Sequence, residues 1–177
     1  MNKKLLVVLL ATASSGLSAQ SVNSIYFIGD SLTDSGQFGT RFTTNPGLVW
    51  SQDLARQLGV KALPSSQGGT NFAVGGARVA VGSQLDPLQP PGAMNPAVPA
   101  MTEQLNQMLA VTEGRLDSNA LYGVWGGAND LFAVTADINA GPAIIQQSIM
   151  GQVGIINTLH EQGAQSIMVA DIPDLGQ

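Results

Sequence analysis

Apolar residues fall into short unbroken runs that end in glycine-rich polar turns, and stretches of helical spacing lie between them. Ser24 to Ile28 (SIYFI) reads as a buried first strand that stops at Gly29-Asp30-Ser31. Leu48 to Leu58 places Leu48, Leu54, Ala55 and Leu58 near one helical face, with Gly59 as its C-terminal stop. Lys61 to Leu63 reads as a short strand closed by Pro64, and Asn71 to Val74 as the end of another, before Gly75-Gly76. Residues 100–113 predict a helix on the spacing of Met101, Leu105, Met108 and Leu109. Ala120 to Trp125 predicts a strand, residues 126–130 a turn, Pro142 to Glu161 a long helix, and Ser166 to Ile172 a last strand ended by Pro173. Continuous apolar strands alternating with helices predict an α/β fold whose parallel sheet is covered on both faces.

Two stretches depart from that alternation. Lys3-Lys4, the apolar run Leu5 to Ala13, and small residues up to Ala19 have the form of a secretory leader, with the mature chain starting near Gln20. The apolar run is too short to span a bilayer. Residues 82–99 hold five of the nine prolines, which excludes a helix or central strand and predicts a long loop within one domain. The expected organisation is a leader over 1–19 and one domain over 20–177.

Composition narrows the chemistry. Hydrophobic residues make up 44% and charged residues 11%, which favours a buried core over disorder. Without Lys3 and Lys4, five scattered basic residues face twelve acidic ones, so nucleic acid is not an expected partner. With no cysteine, there is no disulfide framework, thiolate metal site or Cys nucleophile.

In parallel α/β folds, chemistry sits at the carboxyl ends of the strands. Three polar, glycine-bearing turns are expected there: residues 29–34, 75–78 and 126–130. Ser31 directly follows a buried strand, where its hydroxyl can face a cleft and nearby backbone N–H groups can face an oxyanion. Asp30 and Ser31 could equally cap a helix. Gly75-Gly76 permits close approach of backbone to a ligand, or forms a plain tight turn. Asn129 carries an amide able to donate to developing negative charge, although Asn is common in turns.

Taken together, FIGDSLTDSG at 27–36, NFAVGGA at 71–77 and GGAND at 126–130 resemble the GDSL lipase/esterase family, also called SGNH hydrolases. The blocks stand in the family's order, and the likeness runs from about residue 24 to 177. It leans toward the exported bacterial subgroup that carries a C-terminal autotransporter barrel. The resemblance implies a three-layer α/β/α sandwich with a flavodoxin-like sheet and ester hydrolysis through an acyl-serine, with no cofactor and no metal. It implies Ser31 as nucleophile, with oxyanion donors from the Ser31 N–H, the Gly75 N–H and the Asn129 side chain. Gly76 can replace Gly75, because the doubled glycine leaves the alignment open by one. Asp30 is expected to fix the turn, and Arg78 carries no catalytic role. The expected partner is a small-molecule or lipid ester.

One block of the family is not seen. Its D-x-x-H supplies the base and the acid that orients it, and a serine hydroxyl is a weak nucleophile without them. The single histidine, His160, is not framed that way, since position 157 is Asn. His160 is expected at a helix end, on the far side of the sheet from Ser31. Neither Asp171 nor Asp174 precedes a histidine by three. The expectation is therefore a chain cut before its last block and inactive alone, possessing an uncovered, aggregation-prone sheet edge. The competing reading is a non-catalytic exported module that binds a glycan or lipid.

Overall fold

The computed structural model describes residues 22–44, 46–82 and 98–173. The expected leader, most of the proline-rich loop, and Asp174 lie outside the described residues.

Three strands form a parallel sheet in the order β1-β2-β3, with β1 at Ile25–Gly29, β2 at Leu121–Trp125 and β3 at Ser166–Val169. The register pairs Ile25 with Leu121 and Gly29 with Trp125, then Leu121 with Ser166 and Val124 with Val169. All three carboxyl ends therefore meet at one edge. The helices are α1 (Trp50–Gln57), α2 (Met101–Val111), α3 (Ala128–Ala136) and α4 (Gly141–Glu161). This is an α/β fold with flanking helices.

Alternation along β1 sorts the core into two clusters. Ile25 and Phe27 pack with Ala55 and Ala62, and Trp50 and Leu54 of α1 close over them. Ile28 joins Tyr122 and Val124 of β2 in the larger cluster, with Met101, Leu105 and Met108 of α2 and Ile155 and Leu159 of α4. The Trp50 ring stands edge-on to both Phe27 and Trp125, at centroid distances of 5.1 and 5.4 Å.

Four expectations about elements are corrected. Residues 61–63 form no strand. Pro64 has no N–H to carry a ladder onward, and among the described residues its only bridge is to Asn71. Residues 71–74 are extended along the outer side of β1 but make only a single bridge to it, at Phe27. The backbone bonds there are Phe27 N–H to Thr70, Phe72 N–H to Phe27, and Val74 N–H to Gly29. The next rung, from the Gly29 N–H, goes instead to the side chain of Gln104, which interrupts the ladder. β3 stops at Val169, three residues early, because its last bond to β2 is Ala170 N–H to Val124; Asp171 is outside the strand and exposed. Finally, the turn at 126–130 runs directly into α3. Gly127 opens that helix at φ +115°, a conformation that favours glycine.

Candidate active site

The first turn is built on β1. Asp30 N–H donates to the Trp125 carbonyl, and the Asp30 carbonyl accepts from Thr33 and Asp34, giving one helical turn around Ser31. Asp30 Oδ1 accepts from Leu32 N–H at 3.0 Å, which ties its side chain to the turn. Gly29 is required by proximity, since its φ is not positive: a Cβ there would lie 2.5 Å from the Trp125 carbonyl oxygen and 2.8 Å from Thr33 Oγ1. Beneath the turn, the Thr33 carbonyl accepts from Ser51 Oγ (2.7 Å) and Asn71 Nδ2 (2.8 Å). Thr33 Oγ1 accepts from Trp50 Nε1 at 3.2 Å.

Ser31 itself is half-buried. Among the described residues, neither its hydroxyl nor its backbone N–H has a hydrogen-bond partner. A free hydroxyl and a free N–H at the open end of a strand suit a nucleophile and an oxyanion donor respectively.

Val74, Gly75, Gly76 and Ala77 form a β-turn closed by Ala77 N–H to the Val74 carbonyl. Its two glycines serve different needs. A Cβ on Gly75 would enter the Phe42 ring, whereas Gly76 has open space but sits at φ +81°. Their N–H groups also differ. Gly75 N–H donates to Asp34 Oδ2 at 2.9 Å. Gly76 N–H has no acceptor among the described residues.

The third turn locks onto the second. Asn129 Nδ2 donates to the Ala77 carbonyl at 2.9 Å, which uses one amide hydrogen and leaves the other. Asp130 accepts from Arg78 Nε at 3.2 Å and from Val79 N–H at 2.9 Å. Arg78 is thus a partner of a buried carboxylate beneath the site.

All three turns meet at the carboxyl edge of the sheet, and buried carboxylates join them. Burial pushes the Asp30 carboxyl up to about 6; the Leu32 N–H opposes this and the nearby Asp130 charge reinforces it. Burial also raises Asp34 above the ordinary carboxylate range, against the N–H groups of Gln37, Gly36 and Gly75.

His160 is not brought to this edge. It is exposed in the last turn of α4. Two residues later the Gln162 carbonyl accepts from Leu116 N–H, near the point where the chain enters β2 and β3 at their amino ends. Among the described residues, no group of three His, Cys, Asp or Glu side chains could hold a metal ion.

Two residues central to this geometry were not singled out from sequence. Asp34 lies within the quoted first block, and only its reach to Gly75 distinguishes it. Gln104 is completely buried on the apolar face of α2. Its Oε1 accepts from Gly29 N–H (2.9 Å) and its Nε2 donates to the Gly29 carbonyl (3.0 Å). The signal was present: Gln104 falls at i+3 from Met101, a polar residue at a core position.

The GDSL-like lipase/acylhydrolase family matches residues 25–177. The chain is 31% identical over 175 residues to "Lipase 1" of Photorhabdus luminescens, covering 95% of this chain and 25% of that protein. It is 32% identical over 193 residues to an "Uncharacterized protein in trpE-trpG intergenic region" of Pseudomonas putida, covering 95% of this chain and 31% of that one. The chain thus spans about a quarter to a third of the length of these relatives.

Proposed function

Since the chain belongs to the GDSL-like lipase/acylhydrolase family, a serine hydrolase family, we propose that the full-length protein is an exported carboxylic-ester hydrolase acting through an acyl-serine at Ser31. The observation that carries this reading is the convergence of three turns on one edge, with a Ser31 hydroxyl and N–H donors that are unengaged among the described residues.

In the proposed reaction, Ser31 Oγ attacks the ester carbonyl carbon and its proton passes to a base. The tetrahedral oxyanion is held by the N–H of Ser31, a glycine N–H of the second turn and the remaining amide hydrogen of Asn129. The alcohol leaves, protonated by the base, and water then hydrolyses the acyl-serine. The base and its orienting acid are proposed to come from a D-x-x-H block outside these 177 residues, because His160 is at the opposite edge. The segment at 71–74 beside β1 extends the spatial order to that of a flavodoxin-like sheet, which supports a three-layer sandwich for the whole domain.

Export through residues 1–19 is part of the same proposal, resting on the form of the leader. So is an outer-membrane barrel elsewhere in the full-length protein; the greater length of the relatives leaves room for it. Among the described residues no helix is long and apolar enough to cross a membrane.

The test is p-nitrophenyl ester hydrolysis by the full-length protein and its Ser31→Ala variant. Turnover is expected to fall at least about 10³-fold. Undiminished turnover in the variant would sink the assignment of Ser31, whereas a full-length parent with no turnover would leave the non-catalytic binding module as the better reading.

A further inference from the structure

The doubled glycine poses a choice that sequence leaves open, and the hydrogen bonds around it decide which N–H is free. The β-turn uses the Val74 carbonyl and the Ala77 N–H, so it spends neither central N–H group. Gly75 N–H is taken by Asp34 Oδ2 at 2.9 Å, while Asp34 Oδ1 accepts from Gly36 (2.8 Å) and Gln37 (2.7 Å). Asp34 is 3% exposed and lies three residues after Ser31. One buried carboxylate therefore binds the turn that carries the serine to the turn that carries the glycines, and it does so through the N–H next to the unengaged one.

We infer that Asp34 is a positioning residue that selects Gly76 as the backbone oxyanion donor, by holding Gly75 N–H and fixing the Gly75–Gly76 peptide relative to Ser31. This rests on the ester-hydrolase reading above. The physical reason is preorganisation. An oxyanion donor is useful only if it is already aimed at the place where charge develops, and a turn with a loose central peptide must reorganise during the reaction. Asp34 touches no reacting atom, and its effect passes through Gly75. Charge-assisted bonds from three N–H groups make it a strong anchor.

The first experiment needs no substitution. Residue-level amide exchange is followed in the full-length protein, before and after a fluorophosphonate reacts with Ser31. In that reaction Ser31 Oγ bonds to phosphorus, fluoride leaves, and a phosphoryl oxygen takes the oxyanion position. Gly75 is expected to be protected in both states, and Gly76 to exchange freely at first and then slow by about tenfold or more. A gain confined to Gly75, or a freely exchanging Gly75 in the unreacted protein, overturns the proposal.

The second experiment compares kcat and KM of Asp34→Asn with the parent. The variant keeps one acceptor oxygen but not the full set of bonds. It is expected to lose about tenfold or more in kcat, with KM within about threefold, in a variant that still unfolds cooperatively. A folded variant with kcat within about twofold of the parent overturns the proposal. If the variant fails to fold, the exchange pattern decides alone. Failure of the underlying reading looks different: the fluorophosphonate leaves Ser31 unlabelled and Ser31→Ala retains activity, whatever the exchange pattern at Gly75 and Gly76.

Discussion

Asp30 sits directly before Ser31 in the chain, and burial costs its ionised form most. Its carboxyl pKa is raised in the folded state to about 6, from an ordinary 3.8. The folded state then binds the proton more tightly than the unfolded one. Its stabilising contribution is fully present below the unfolded pKa and is lost as pH rises through the folded value. Asp30→Asn keeps a side-chain oxygen for the Leu32 N–H and carries no charge. Chemical melts of parent and variant between pH 4 and 7 are expected to diverge across about pH 4 to 6, with the parent losing stability relative to the variant as pH rises. Parallel profiles would show that Asp30 does not titrate in this window. Asp34 shifts in the same direction for the same reason, so the parent's own profile contains both groups.

At the scale of elements, the turn that carries Ser31 depends on a helix remote in sequence. α2 contributes Gln104, whose amide takes both backbone groups of Gly29, 75 residues earlier. This fills a rung that the segment at 71–74 leaves open. Gln104→Leu preserves most of the volume but strands the buried Gly29 N–H without a partner. Stability is expected to fall by about 1–3 kcal/mol, read as a lower denaturation midpoint at unchanged slope. A midpoint equal to the parent's would mean that the N–H finds water or another acceptor. Patterning revealed α2 by the spacing of its apolar residues, yet it said nothing of this clamp, because a hydrogen bond across 75 residues leaves no periodic trace.

Across the whole molecule, α4 carries an unusual surface. α4 has no charged residue from Gly141 to Leu159, and its Ile145, Ile149 and Val153 are exposed beside a half-buried Ile156. These follow helical spacing along the flank next to the buried stripe of Ser148, Ile155 and Leu159. β3 pairs only with β2 among the described residues, and its side chains are half-buried or exposed. An apolar helix flank and an open strand edge each favour self-association. Ile149→Lys changes a residue that is 58% exposed, so the folded state should be nearly unaffected, within about 0.5 kcal/mol. Light scattering of this chain over a concentration series is expected to show less association for the variant. Equal association would locate the sticky surface elsewhere.

By itself, the sequence determined the alternation of strands and helices, the parallel sheet, and the three turns expected at its carboxyl edge. Each of these follows from local causes: apolar runs, helical spacing, and glycines where the backbone must turn. It also placed His160 at a helix end away from Ser31. It overextended β3 and passed over α3, whose short run ANDLFAVTA is mostly exposed or half-buried and shows little periodicity. Only the tertiary structure decided which N–H groups are engaged. Gly75 and Gly76 are indistinguishable as letters, and they differ here because a carboxylate 41 residues away reaches one of them. Hydrogen-bond partnership depends on position in space to a few tenths of an ångström, whereas a pattern of residues specifies only which face each side chain occupies.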